Sequence, residues 1–154
     1  MAIAGQRFGT GGRNLADSRV KAAIAMSTPV PGHVPERNYD PIQIPILHLT
    51  GTADVSPLND TTAKDRRVPF DSIQHAPQWL ITFEGGDHMI FAGRSTKLSA
   101  AQSTPMLDMI LQSTTAFWDA WLRDDADAKR WLNEGDCEKA LGKIGALEKK
   151  NPKR

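Results

Sequence analysis

The sequence predicts an α/β fold in which short parallel strands are covered by helices. The chain has 154 residues, which corresponds to about one domain. Three short apolar segments, at 20–26, 45–49 and 79–83, are predicted strands, and the first has the unalternating composition of a strand buried on both faces. A longer segment at 105–122 places apolar residues three and four positions apart, which predicts an amphipathic helix packed on the sheet. This combination is typical of one α/β domain, or part of one.

Composition and charge exclude several classes of protein. Hydrophobic residues make up 40% of the chain and charged residues 24%, which excludes a collagen-like, coiled-coil or wholly disordered chain. The formal net charge of +1 gives no general attraction to nucleic acid or to an anionic membrane. The chain shows no signal-peptide pattern and no apolar run of the roughly 20 residues that span a membrane, so localisation stays open.

The first part of the chain is expected to contain a helix end, a strand and a long loop. Residues 1–8 have the character of the last turns of a helix, which the glycines of 9–12 would end. The segment 20–26 is interpreted as a buried strand, although a short helix stays open because periodicity does not separate the two. Repeated prolines make 29–45 loop-like.

Two further strands are each followed by glycines and an ionisable residue. The strand at 45–49 is followed by TGTAD, and the strand at 79–83, which is rich in β-forming residues, is followed by EGGDH. Between them, 55–74 is polar and mixed, with room for a short helix. Both strand ends are therefore candidate positions for functional side chains.

The last part of the chain is expected to be helical and then solvated. In the helix at 105–122, Pro105 fits the first helical position and Thr104 fits the N-cap. A second short helix is expected near 127–132. The lysine-rich segment from Cys137 onward is interpreted as a solvated, partly frayed end, with a binding segment as the alternative.

Asp54 and His88 are the candidate catalytic residues. Asp54 follows the second predicted strand and His88 follows the third. Because catalytic groups collect at the carboxyl ends of strands in open parallel sheets, we expect the two side chains to lie within hydrogen-bonding distance. An acid followed by a histidine is also the order of two members of a Ser–Asp–His triad, in which the carboxylate orients the imidazole that takes the serine proton. Taken singly, each residue is also typical of a turn or a structural contact.

Two neighbours of these residues have weaker signals. Ser27 follows the first strand and is conceivable as a nucleophile, but it lacks the flanking glycines of a G-x-S-x-G turn. Asp87 adjoins His88, and neighbouring residues point in different directions. Asp87 is therefore interpreted as a turn residue rather than as the group that orients His88.

The remaining histidines do not indicate a metal site. His48 is expected in the core, and His33 and His75 in loops beside prolines. The histidines and Cys137 share no ligand-like spacing, and no glycine-rich phosphate-binding loop follows a strand. Neither a metal nor a cofactor is therefore expected.

Four stretches resemble the C-terminal half of an α/β-hydrolase: DSRVKAAIAMSTP, IPILHLTGTADVSP, WLITFEGGDHMIF and STTAFWDAWLRDDADAKRWL. The likeness is to dienelactone-hydrolase-like esterases, a group that also resembles chlorophyllases and platelet-activating-factor acetylhydrolases. It implies a partial α/β-hydrolase fold over 1–149, made of the last three parallel strands with flanking helices, and a basic tail at 150–154. It also implies a catalytic acid at Asp54, in LTGTADVSP, and a general base at His88, in GGDHMIF.

The resemblance further implies a serine nucleophile on a G-x-S-x-G turn, and this sequence contains no such motif. The chain is therefore interpreted as part of a serine hydrolase acting on small-molecule carboxylic esters. The nucleophile, the oxyanion-hole amides and the N-terminal half of the fold would lie before Met1. The longer protein is expected to be active and the isolated chain inactive. The alternative is a non-catalytic truncated protein or binding module.

Overall fold

A mixed four-stranded sheet forms the centre of the structure. The computed structural model describes four stretches of the chain, residues 1–8, 12–30, 36–95 and 97–153. Strands β1 (Ala23–Met26), β2 (Ile46–Ala53) and β3 (Gln78–Asp87) are parallel, and β4 (Gly145–Lys150) pairs antiparallel with β3. The strand order is β1-β2-β3-β4. The predicted α/β class is confirmed, and the three apolar segments form the parallel part of the sheet.

The parallel strands differ in burial because they occupy different places in the sheet. β2 and β3 are central, and Leu47 and Ile81 on these strands are fully buried. β1 lies at the edge and is shorter than the predicted 20–26, and its Met26 is 39% exposed. The segment is a strand and not a short helix, but the expectation that it is buried on both faces is wrong. An edge strand has a neighbour on one side only, so part of its apolar surface stays open.

In the described residues of the first half of the chain, all helices are short. Ala2–Ala4 is a 3₁₀ turn that ends at Gly5 with a φ of 116°, so the helical turns do not continue to residue 8. Within 55–74, a 3₁₀ turn at Asp65–Arg67 leads into helix α1 (Val68–Ser72). The predictions for Gly9, Gly11 and His33 fall outside the described residues.

Helix α2 (Ala100–Leu122) begins earlier than predicted. The Oε1 atom of Gln102 accepts hydrogen bonds from the amide of Ser99 at 3.1 Å and from its hydroxyl at 2.9 Å, which places a capping-box start at Ser99. Thr104 and Pro105 therefore lie inside the helix, and the prediction that Thr104 caps it is wrong. Pro105 is tolerated close to the start of the helix, where its missing amide removes one backbone hydrogen bond.

Helix α3 (Ala126–Asn133) forms where a helix near 127–132 was predicted. The carboxylate of Asp125 accepts a hydrogen bond from the Ala128 amide at 2.8 Å and so caps the helix. Leu132 of this helix is fully buried. α3 therefore continues the helical layer that α2 begins.

The chain after Cys137 forms regular secondary structure and is not a frayed end. Cys137 and Leu141, which are one helical turn apart on α4 (Asp136–Leu141), are buried. Strand β4 then pairs along its length with β3. The prediction of a frayed end was wrong because it was based on the many lysines and did not consider the apolar residues spaced among them. Lys150, the first residue of the predicted tail at 150–154, is the last residue of β4.

Each face of the sheet packs on its own apolar cluster. The larger cluster joins β2 and β3 to the helical layer through buried side chains that include Leu47, Leu49, Ile81, Phe83, Met109 and Phe117. The smaller cluster lies on the other face and includes Ala25, Tyr39, Ile42, Ile46 and Ile73. As predicted, α2 covers one face of the sheet. Among the described residues, no helix combines the length and the apolar character needed to cross a membrane.

Two glycines allow β2 and β3 to approach closely near their carboxyl ends. A Cβ atom added at Gly51 would lie 2.2 Å from the carbonyl oxygen of Gly86, so only glycine fits at position 51 without movement of the backbone. The register between the strands shifts between Gly51 and Ala53. This irregular pairing directly precedes the segments that carry Asp54 and His88.

His48 predicts a pH dependence of stability. The side chain is buried in β2 as expected, its Nε2 atom lies 3.1 Å from Gln78 Oε1, and burial lowers the pKa of His48 to about 4. A lowered folded-state pKa means that the unfolded chain binds the proton first. The contribution of the neutral His48 side chain to the free energy of unfolding is therefore complete above the unfolded pKa near 6.5. It is lost as the pH falls from there to about pH 4.

The free energy of unfolding, measured by urea titration, is expected to fall between pH 7 and pH 4.5 by about 2–3 kcal/mol more in the wild-type chain than in a His48→Gln variant. Glutamine keeps a polar side chain opposite Gln78 but does not titrate. Parallel pH profiles for the two proteins would contradict the assignment to His48.

Candidate active site

Asp54 and His88 meet at the carboxyl edge of the parallel strands. Asp54 follows the end of β2 and His88 follows the end of β3. The Oδ1 atom of Asp54 lies 3.2 Å from Nδ1 of His88. The Asp54 side chain is fully buried, whereas that of His88 is 33% exposed. The distance agrees with the expectation from the strand-end positions, and the roles of the two residues stay predictions.

Ser27 completes a three-residue contact that sequence reasoning missed. It follows β1, and its Oγ atom lies 2.8 Å from Asp54 Oδ1 and 2.7 Å from His88 Nδ1. The signal that located Asp54 and His88 also applies to Ser27, since all three residues follow neighbouring parallel strands. By its sequence context Ser27 is a weak candidate nucleophile, and no motif marks it as a partner of the other two.

The geometry of Ser27 does not suit a triad nucleophile. In a Ser–His–Asp triad the serine and the carboxylate address different nitrogens of the imidazole. Here Ser27 and Asp54 both face Nδ1 of His88. Within the described parts of the chain, no hydrogen bond reaches Nε2 of His88. The nitrogen that would act on a nucleophile is therefore not occupied by Ser27.

Thr50 and Arg66 hold the Asp54 carboxylate from two further sides. The Thr50 hydroxyl donates to Asp54 Oδ2 at 3.0 Å, and Nε of Arg66 lies 3.4 Å from Oδ1. Arg66 is itself buried, and Nη1 donates to the carbonyl oxygen of Ser27 at 2.8 Å. Burial lowers the pKa of Arg66, the carboxylates of Asp54 and Asp65 oppose this effect, and the guanidinium stays charged. We call Ser27, Thr50, Asp54, Arg66 and His88 the carboxyl-edge cluster.

No sequence signal marked Arg66 as a member of this cluster. It is one of two adjacent arginines in a segment of mixed polar composition. Arg67 is instead 40% exposed and pairs with Asp71 and Glu148. Both arginines lie on the 3₁₀ turn at Asp65–Arg67, and only the side of the turn that each side chain occupies makes one buried and the other exposed.

Asp87 has the turn role that the sequence predicted. Its carboxylate accepts hydrogen bonds from the Ile90 amide at 3.0 Å and from the Ser95 hydroxyl at 2.8 Å. The first of these caps the 3₁₀ turn at His88–Ala92. Asp87 therefore orients the backbone that carries His88, and Asp54 contacts the imidazole ring. His75 lies exposed, as expected for a loop residue.

The carboxyl-edge cluster can support proton transfer. A buried carboxylate faces one nitrogen of an imidazole, and the other nitrogen makes no hydrogen bond within the described residues. Such a pair stabilises the charged imidazole that forms when His88 takes a proton. In the described ranges, no group of three or more His, Cys, Asp or Glu side chains is placed to hold a metal ion. A scan against protein-family models and a search of curated proteins found no match to this chain.

Proposed function

We propose that this chain provides the acid and the base of a serine hydrolase that acts on carboxylic esters. The observation that carries the proposal is the pairing of Asp54 with Nδ1 of His88, which leaves Nε2 without a hydrogen bond among the described residues. The positions of both residues at the ends of adjacent parallel strands add support, because this is where open α/β sheets carry their active sites. The finer fold assignment, the last three parallel strands of an α/β-hydrolase, belongs to the same proposal.

The proposed reaction is an acyl transfer through a serine. His88 Nε2 takes the proton of a serine hydroxyl, whose oxygen attacks the ester carbonyl. His88 then gives the proton to the leaving alcohol, and a water molecule repeats the sequence to release the acid. Asp54 stabilises the positively charged imidazole at both stages. General acid–base catalysis of this kind contributes about 10²–10⁴-fold to the rate.

The serine and the oxyanion-hole donors come, in this mechanism, from a segment outside the 154 residues. Ser27 does not substitute, since it is buried and faces the same nitrogen as Asp54. We therefore expect the isolated chain to hydrolyse a short-chain alkyl ester, which a free imidazole does not cleave at a measurable rate, no faster than its His88→Ala variant. A serine-directed fluorophosphonate is likewise expected not to label it. Labelling of Ser27 would show that the nucleophile lies within the chain and would contradict this arrangement.

The decisive experiment joins the chain to the protein segment encoded in frame upstream of Met1. That segment is expected to contain G-x-S-x-G, and the joined protein to hydrolyse the ester. His88→Ala should then lower kcat by at least about 10²–10⁴-fold, and Asp54→Asn by about 10⁴-fold. His75→Ala, which removes an exposed histidine, is the matched control and should leave kcat unchanged.

The alternative is a non-catalytic binding module. It is favoured by one observation, that no hydroxyl among the described residues contacts Nε2 of His88. Two results would favour the binding module. One is that the upstream segment lacks G-x-S-x-G, and the other is that the joined protein has the same kcat with and without His88.

A further inference from the structure

Ser27 is held in a backbone conformation that residues other than glycine rarely adopt. Its φ is 46°, in the left-handed region. Its amide donates to the Leu49 carbonyl at 2.8 Å, and its own carbonyl accepts from Arg66 Nη1 at 2.8 Å. Both backbone groups are therefore fixed, one by the neighbouring strand and one by a buried cation. A strained conformation that its surroundings hold in this way is typical of a functional position.

The hydroxyl of Ser27 has one proton, and its neighbours decide where that proton goes. Asp54, which is paired with Arg66, is a carboxylate and can only accept. The Ser27 proton therefore points to Asp54 Oδ1 at 2.8 Å, and a lone pair of Oγ faces His88 Nδ1 at 2.7 Å. Two lone pairs cannot face each other at this distance, so Nδ1 must carry a hydrogen. Nη2 of Arg66, which can only donate, also faces Nδ1 but at 3.5 Å, so the much shorter Ser27 contact decides the tautomer. Ser27 Oγ is the nearer acceptor of the Nδ1 hydrogen, because Asp54 Oδ1 lies 3.2 Å away.

We infer that Ser27 is a positioning residue that holds the imidazole of His88 in the Nδ1–H tautomer. Its hydroxyl links the carboxylate to the ring, and Arg66 fixes Ser27 through the backbone carbonyl. The tautomer places the ring's lone pair on Nε2, the form that a general base needs. The use of that lone pair rests on the proposed function, but the tautomer is a property of this chain alone.

The test is a long-range proton–nitrogen NMR spectrum of the ¹⁵N-labelled full chain near pH 8, which reports the nitrogen that carries the proton. The Nδ1–H form of His88 is expected to dominate in the wild-type chain. Removal of the Ser27 hydroxyl should lower the ratio of Nδ1–H to Nε2–H by roughly five- to tenfold, as for the loss of one hydrogen bond. An unchanged ratio would show that Asp54 alone sets the tautomer and would overturn the inference.

Two substitutions of Ser27 distinguish the effect of losing the hydroxyl from the effect of relieving the backbone strain. Ser27→Gly removes the hydroxyl and accepts the φ of 46°, whereas Ser27→Ala removes the hydroxyl and keeps the strain. Equal shifts in both variants assign the effect to the hydroxyl, and a shift in the alanine variant alone overturns the inference. Ser113→Ala is the matched control, because it deletes a buried hydroxyl that bonds only within α2. The buried His48 ring reports in the same spectra that the fold is intact.

A second measurement works at micromolar concentration of the chain. Diethylpyrocarbonate modifies an unprotonated imidazole nitrogen, so the rate at His88, followed by mass spectrometry, should fall equally in both Ser27 variants, in proportion to the loss of the Nδ1–H fraction that the spectra report. An unchanged or faster rate would overturn the inference. Neither measurement needs esterase activity. A tautomer shift together with an inactive joined protein would therefore refute the proposed function and leave the role of Ser27 in place.

Discussion

Replacement of Arg66 by methionine is expected to lower the free energy of unfolding by about 3–5 kcal/mol. The Arg66 side chain is 1% exposed, and its Nε atom lies 3.4 Å from Oδ1 of Asp54, whose side chain is fully buried. Methionine fills a similar volume but leaves this carboxylate without its cation and the Ser27 carbonyl without its donor. Urea titration followed by circular dichroism measures the loss.

Arg67→Met provides the matched control in the adjacent position. Arg67 is 40% exposed, and its ion pairs with Asp71 and Glu148 lie at the surface. Their loss should lower the free energy of unfolding by about 1 kcal/mol. Equal losses of unfolding free energy in the two variants would show that the buried ion pair of Arg66 is no more stabilising than the surface ion pairs of Arg67.

A double variant tests whether the effect of Arg66 passes through Asp54. Asp54→Asn removes the buried charge, so Arg66→Met should cost less in the asparagine background than in the wild-type chain. Contacting groups of this kind give interaction energies of about 0.5–3 kcal/mol. Additive losses would indicate instead that Arg66 acts mainly through the Ser27 carbonyl.

The second large effect is self-association of the isolated chain through the β1 edge. Within the part of the chain that the structure describes, β1 pairs with β2 alone. Beside β1 lies an open groove of about 450 Å³ with a mainly apolar lining that includes Ile3, Met26 and Trp118. An unpaired apolar edge is a template for another chain. Size-exclusion chromatography is expected to show species larger than a monomer that grow with concentration.

A charge placed on this edge should reduce the association. Met26→Lys introduces a lysine on β1, as natural edge strands do, and is expected to move the elution toward the monomer. Leu111→Lys adds the same charge at a 66% exposed position of α2 that does not line the groove, and should have little effect. A sharp wild-type monomer peak with a cooperative thermal transition would show that the chain is self-sufficient, and would remove the basis for interpreting it as part of a larger fold.

The parts of the fold that the sequence predicted depend on short-range patterns. Apolar runs located the three parallel strands, and glycines followed by ionisable residues located Asp54 and His88. The start of α2 was misplaced because Ser99 and Thr104 both carry valid capping signals, and only the Gln102 contact separates them. The last strand was missed because β4 is stabilised by pairing with β3 rather than by its own composition.

The other members of the carboxyl-edge cluster could not be predicted because their roles depend on distant contacts. Ser27 reaches Asp54 and His88 across 27 and 61 residues of chain, and Arg66 reaches the Ser27 carbonyl across 39. No periodicity or spacing encodes such contacts. The topology of the sheet predicts candidate site residues directly after the parallel strands, and Ser27 is one of these. Arg66 lies in a turn between strands, where the topology predicts no site residue.

The separation between the acid and the imidazole is set by main chain rather than by side chains. At Gly51 the two central strands touch backbone to backbone, with no room for a methyl group between them. Repacking of the apolar clusters would therefore alter the spacing of Asp54 and His88 very little, whereas any side chain at position 51 would force the strands apart. In a library of random variants, sequences that keep the site should tolerate changes at many core positions but almost none at this glycine, whose carbonyl accepts a hydrogen bond from the Asp54 amide at 3.1 Å.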